Sequence, residues 1–191
     1  MTTVEELRTM KRDGRKIVCV VCWDQSSAEA ADNAGVEIVS VGDSVVQRWD
    51  ELAAYLAGVR RGVSRALVSC DLPEPVSVER ARRLLELGAD LVKVESNVEE
   101  LAAAGIPVWA QIESADDAKR MEDAGAVLID FRHSGPEAGA AACAAVSIPV
   151  LGGLGGGPWL DGRVRAIHRL LDEPLARYAD DVRNARPVKG D

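Results

Sequence analysis

The chain has 191 residues and a formal net charge of −8, from 23 Lys and Arg against 31 Asp and Glu. That length suffices for one domain with a sizeable core. An acidic balance without a basic stripe argues against nucleic acid and anionic membrane surfaces as partners. No apolar run approaches the roughly 18 residues that a membrane-spanning helix needs. The opening Met1-Thr2-Thr3-Val4-Glu5-Glu6 is too polar and acidic for a signal peptide. The expectation is a soluble cytoplasmic protein.

Thr3-Val4-Glu5-Glu6 reads as a capping box that starts a short helix, with Val4 and Leu7 on one face and Gly14 at its end. A first strand spans Lys16 to Cys22 and leads to Trp23-Asp24. Its Cys19 and Cys22 have CxxC spacing, but alternation along a strand turns them to opposite faces. All four cysteines therefore read as small buried apolar residues rather than as a metal or redox pair. Ser26 or Ser27 can cap the next helix, which stops at Gly35; Asp24 can also cap it, or belong to a site. Strand 2, Val36 to Ser40, runs into Val41-Gly42-Asp43-Ser44. The helix after it places Val46, Trp49, Leu52, Leu56 and Val59 on one face.

Strand 3 leads from Leu67 to Asp71-Leu72-Pro73, and the next helix buries Val78, Ala81, Leu84 and Leu85 before Gly88. Strand 4 carries Leu91, Lys93 and Glu95. A short helix around Val98 to Ala104 follows, then strand 5 from Pro107 to Ile112, with Gln111 near its end. Ser114 begins a helix with Met121 inward and Gly125 at its end. Strand 6, Ala126 to Phe131, carries Asp130 and is followed by Arg132 and an Ala-rich helix from Pro136 to Ala145. Strand 7, Ile148 to Leu151, opens into Gly152-Gly153-Leu154-Gly155-Gly156-Gly157. A weaker eighth unit comprises Val164 to Ile167 and Leu170-Leu171. Leu175, Tyr178 and Val182 then share one helical stripe, ahead of an end over 183–191 that reads as charged and mobile.

Strand and helix alternate about eight times at short intervals, which is the pattern of parallel βαβ units. The expected fold is a compact α/β (β/α)8 barrel of parallel strands with an N-terminal helix; an open doubly wound sheet is the alternative. It is one domain over 1–191. The helix occupies about 3–13, the barrel about 16–172 and the tail about 174–191.

Asp43, Asp71 and Glu95 recur at the carboxyl ends of successive strands. In a parallel barrel they converge, and converging carboxylates repel. A hard divalent cation such as Mg²⁺ offsets that repulsion. Against this stands plain helix capping, which an Asp after a strand often performs. Lys93, inside an apolar strand end, reads as a buried lysine paired with carboxylates, or as a surface lysine. His133 and His168 lack ligand spacing. The glycine run at 152–157 lacks the GK[ST] ending of a phosphate loop and reads as close backbone approach to the pocket. Trp23 and Trp109 either wall the pocket or pack in the core.

The residues also resemble a known family, the ketopantoate (3-methyl-2-oxobutanoate) hydroxymethyltransferases, of the phosphoenolpyruvate mutase/isocitrate lyase group of barrels. The resemblance runs from about Leu7 to Leu171. Its motifs include Lys16-Ile17-Val18, Trp23-Asp24, Val41-Gly42-Asp43-Ser44, Asp71-Leu72-Pro73, Gly88-Ala89-Asp90-Leu91-Val92-Lys93-Val94-Glu95, Gly105-Ile106-Pro107-Val108, Ile148-Pro149-Val150 and Asp161-Gly162. It implies Asp43 and Asp71 as metal ligands, Glu95 as a third acid on the metal shell, and Ser44 and Lys93 as residues that hold a 2-oxo acid carboxylate. The implied reaction belongs to pantothenate biosynthesis: an enolate of 3-methyl-2-oxobutanoate takes a hydroxymethyl group from 5,10-methylenetetrahydrofolate. The alternatives are folate-independent aldolase, lyase or decarboxylase chemistry on another small 2-oxo acid, or a catalytically reduced homologue that binds an oxo acid or a partner. A homo-oligomer is also implied. Three departures stand out. Arg132 falls where the family has a glutamate base, which leaves Asp130 as candidate base and Arg132 as a substrate-binding residue. Gln111 replaces a histidine and joins the substrate-binding set. The segments after strands 2 and 5, which help enclose the site and the folate, are cut down.

Overall fold

The computed structural model describes residues 1–42, 48–153, 156–170 and 175–188. Its strands are β1 (Ile17–Val21), β2 (Ile38–Val41), β3 (Leu67–Asp71), β4 (Leu91–Val94), β5 (Val108–Ile112), β6 (Leu128–Phe131), β7 (Val150–Gly152) and β8 (Gly162–Ala166). Each pairs in parallel with its neighbour. β1 pairs with β2 on one edge and with β8 on the other, through Ile17↔Gly162 to Val21↔Ala166, so the sheet closes. That closure excludes the open doubly wound alternative. The helices are α1 (Val4–Arg12), α2 (Gln25–Asn33), α3 (Trp49–Gly62), α4 (Val78–Glu86), α5 (Val98–Ala103), α6 (Asp117–Asp123), α7 (Gly135–Ala145) and α8 (Leu175–Arg183).

Alternation along the strands makes two cores. Outward residues such as Val18, Val20, Val39, Val68, Val92, Ile129 and Val150 pack beneath the helices. Inward Ile17, Cys19, Ile38, Leu67, Leu91, Trp109, Leu128 and Leu151 form the inner core, onto which α1 lays Leu7 and Met10. Cys19 and Cys22 thus face opposite sides, as the spacing predicts. Thr3 caps α1 by accepting from the Glu6 N–H at 3.1 Å. Lys11 pins this helix across the amino ends of the strands, with Nζ 2.9 Å from Cys143 O, Ile148 O and the Asp161 carboxylate. The bottom of the barrel is therefore sealed and apolar, and a site must lie at the other end.

Several boundaries differ from the sequence pattern. β6 begins at Leu128 because the Ala126 N–H is used to finish α6 on Met121 O. β7 begins at Val150: Pro149 has no N–H, and the Ile148 N–H goes to Glu122. β8 begins at Gly162, where a side chain would run into Ile17 O. The cap of α2 is Asp24, whose carboxylate accepts from the Ser27 N–H at 2.9 Å; Ser26 and Ser27 lie within the helix. In the charged C-terminal part, Arg183 reaches Gly35 O and Glu37, and Val188 is buried.

Candidate active site

Backbone pairing runs from Ile17 through Gly162, Leu151 and Asp130 to Gln111, climbing from the first residue of β1 to near the end of β5. This stagger is what closure of eight strands requires. Alternate strands therefore share layers of inward side chains. Cys19, Ser69, Trp109 and Leu151 make one layer. Ser40, Lys93, Asp130 and Val164 lie above it, then Asp71 with Gln111, and Glu95 with Arg132 form the rim. Polarity rises with each layer toward the carboxyl ends.

The centre of this stack is an ion-paired cluster. Lys93 Nζ lies 2.5 Å from Asp130 Oδ2 and 4.0 Å from Asp71 Oδ1, and 5.1 Å from the centroid of the Trp109 ring. The Arg132 Nε donates to the same Asp130 Oδ2 at 3.0 Å. Burial by itself lowers the pKa of Lys93. Asp130 and Asp71 outweigh it and hold the ammonium above its ordinary pKa. Lys93 is therefore a cation at neutral pH and not a free amine base. Burial likewise opposes the charge on Arg132, and Asp130, Asp71 and Glu95 together overcome it. Beneath them burial pushes the Cys19 thiol well up, more strongly than Lys93 pulls it down, so Cys19 is an inert thiol.

Glu95 is exposed at the rim, and its Oε1 accepts from Gln111 Nε2 at 3.1 Å. Asp71 is half-buried beside them. Gly42 lies against it: its φ is +104°, and a Cβ there would sit 2.7 Å from Asp71 Cβ. Only glycine suits that backbone and that approach. The expected ligands Asp43 and Ser44 lie outside the described residues. Among the described residues no group of three His, Cys, Asp or Glu side chains is close enough to hold a metal ion. The acids at the mouth, Asp71 and Glu95, nonetheless offer only hard oxygen donors, which is the donor chemistry that Mg²⁺ takes.

The structure brings together Asp71, Lys93, Asp130 and Arg132, and separately Glu95 with Gln111. It does not set Asp130 as a base needs: the side chain is 1% exposed, and Oδ2 is shared by two cations. Asp24 is a helix cap away from this cluster. Trp109 is fully buried as the floor under Lys93, while Trp23 stacks on the exposed His168 with centroids 5.2 Å apart. In the glycine run, Gly152 makes room for Phe131 O and Gly157 for the Trp159 ring. Ser69, an inward hydroxyl two residues before Asp71, joins this stack without a motif to mark it. Alternation of β3 is the signal that would have found it.

The sequence profile of the ketopantoate hydroxymethyltransferases matches residues 1–115. A 3-methyl-2-oxobutanoate hydroxymethyltransferase of Psychrobacter cryohalolentis is 30% identical over 218 residues, covering 90% of this chain and 82% of that protein. The enzyme of that name from Geobacillus kaustophilus is 32% identical over 229 residues, covering 94% and 82%. Among solved structures, a putative lyase/mutase from Burkholderia cenocepacia superposes with a TM-score of 0.70 at 18% identity, covering 93% of this chain and 86% of that one. At that identity the likeness speaks for the barrel alone.

Proposed function

The chain belongs to the ketopantoate hydroxymethyltransferase family, a family of transferases, and from that premise we propose that it transfers a hydroxymethyl group to a small 2-oxo acid through an enolate. The observation that carries the reading is the mouth itself. Asp71 and Glu95 stand at the carboxyl ends of β3 and β4 over a buried Lys93, and Gly42 brings the chain against Asp71 one residue before Asp43.

Asp43 and Asp71 would hold a divalent cation, with Glu95 on its outer shell. Such a cation supplies Lewis-acid stabilisation of the enolate oxygen. The rest falls to the chain. Ser44 and Gln111 orient the 2-oxo acid. Lys93 contributes positive potential from below without contacting solvent, in a water-poor interior where such fields are strong. Glu95 is the carboxylate of the rim that reaches solvent, and it receives the C3 proton; Asp130 is shut beneath two cations and holds them in place. The one-carbon donor is 5,10-methylenetetrahydrofolate, and the active form is a homo-oligomer, which light scattering checks.

A second reading is favoured by one observation. β5 and α6 are joined by only residues 113–116, so little chain is present there to cover a folate. That reading is folate-independent aldol or lyase chemistry on another small 2-oxo acid. Incubation with 3-methyl-2-oxobutanoate, Mg²⁺ and ¹³C-labelled methylenetetrahydrofolate separates the two. A new ¹³C hydroxymethyl resonance supports transfer from folate. Product from formaldehyde alone, with none from the folate, supports the second reading.

A further inference from the structure

The two cations of the inner stack have unequal access to a ligand. Lys93 is 7% exposed and fully engaged: Asp130 at 2.5 Å, Asp71 at 4.0 Å and the Trp109 ring beneath. Arg132 sits on the rim, 29% exposed, and is fixed through Nε alone. Its Nη1 and Nη2 have no hydrogen-bond partner among the described residues. Of the inward residues at the strand ends described here, Arg132 is the cation that faces the mouth.

A guanidinium tethered by Nε presents the paired N–H groups of its far edge in a fixed plane. That fork matches a carboxylate far better than it matches a neutral group. Asp130 fixes its direction: Oδ2 binds Arg132 and Lys93 at once, so the buried Lys93 steadies the carboxylate that aims the guanidinium. Arg132 directly follows β6, three strands around the barrel from Asp71 at the end of β3. A 2-oxo acid whose keto and carboxylate oxygens sit at the β3 side therefore turns its other end toward Arg132.

We propose that Arg132, aimed by Asp130, is the receptor for a second carboxylate, so that this site prefers a 2-oxo dicarboxylate to a 2-oxo monocarboxylate. The inference rests on the proposed function for the position of the 2-oxo group. Arg132 is on this account a binding residue that sets specificity, and Asp130 a positioning residue.

The test is binding to the full chain by calorimetry at fixed free Mg²⁺, with two matched pairs: 2-oxopentanedioate against 2-oxopentanoate, and 2-oxobutanedioate against 2-oxobutanoate. Members of a pair differ only in the terminal carboxylate. The expected result is at least tenfold tighter binding of the diacid in one pair or both. Arg132→Met removes that preference, so that diacid and monoacid of a pair bind alike. Arg132→Lys, which keeps the charge without the fork, recovers only part of it. Asp130→Asn weakens the diacid more than the monoacid, and circular dichroism and thermal unfolding establish that each variant is folded. Equal affinities within both pairs, or a diacid preference that survives Arg132→Met, overturn the proposal. If monoacids bind and diacids gain nothing, only this inference fails. If none of the four acids binds, the proposed function fails with it.

Discussion

Lys93 Nζ stands 2.5 Å from Asp130 Oδ2, with both side chains almost wholly buried inside the barrel. A buried charge left wholly unpaired typically costs about 3–5 kcal/mol, but here Asp130 keeps Arg132 at 3.0 Å when Lys93 is removed, and Lys93 keeps Asp71 at 4.0 Å when Asp130 is removed. Lys93→Met is therefore expected to lower unfolding stability by less than that full cost. The double variant Lys93→Met/Asp130→Leu removes both charges and is expected to recover most of the loss. Urea unfolding of the two single variants, the double variant and the parent forms a double-mutant cycle that measures the coupling. A coupling near zero would contradict the ion-paired core.

Gly42→Ala is expected to disturb the site and not merely the turn. Gly42 and Gly35 both have positive φ, at +104° and +77°. A Cβ at Gly35 meets nothing closer than 4.0 Å, whereas at Gly42 it sits 2.7 Å from Asp71 Cβ. Gly35→Ala should cost about 1 kcal/mol, for backbone strain alone. Gly42→Ala should cost more and weaken Mn²⁺ binding at least tenfold, as read by electron paramagnetic resonance. Similar effects of the two substitutions on Mn²⁺ binding would contradict this account of Gly42.

The alternation of apolar strands with capped helices made the barrel legible, because period-2 and period-3.6 patterns depend on nearest neighbours in sequence. Gly35, Gly88, Gly105 and Gly125 each follow a helix with positive φ, so the element ends were legible too. The exchange of partners inside the barrel was not. Asp130 and Lys93 are far apart in sequence, and their contact depends on the stagger of eight strands, which no local pattern carries. For the same reason Asp130 reads from sequence as an available base, while the structure gives it to two cations. Trp109 was ambiguous between wall and core, since a strand position fixes the face a side chain takes but not its depth.

Acid is expected to loosen the packing of α6 against the entry to β7. Glu122 Oε1 accepts from Ser147 Oγ at 2.5 Å, Ser147 N at 2.8 Å and Ile148 N at 3.2 Å. Burial pushes its carboxyl up, but the Ser147 hydrogen bonds and Lys119 outweigh it and hold the pKa at about 2. A depressed carboxyl contributes stability that is full above its unfolded value, about 4.3, and is lost as pH falls toward 2. The parent should therefore lose stability over that window, and Glu122→Gln should show a shallower loss in thermal unfolding. An unchanged slope in the variant would contradict the assignment.

Asp24 is expected to matter for stability and not for chemistry. Its carboxylate caps α2 on the Ser27 N–H, which also holds its pKa low. Asp24→Ala should cost about 1 kcal/mol, with substrate binding unchanged. A selective loss of binding in a variant of full stability would place Asp24 in the site.

The mouth over β2, β3 and β4 is proposed to enolise a 2-oxo acid. The most direct measurement is deuterium exchange at C3 of 3-methyl-2-oxobutanoate in D₂O, followed by NMR with and without Mg²⁺. Parent protein is compared with Asp43→Ala, Asp71→Asn and Glu95→Gln. Exchange is expected to require Mg²⁺, to disappear in the two aspartate variants and to fall about 100-fold in Glu95→Gln, the size of effect typical of a lost general base. No exchange by a folded parent protein that binds Mg²⁺ and the acid, or exchange that survives Asp71→Asn, would contradict it.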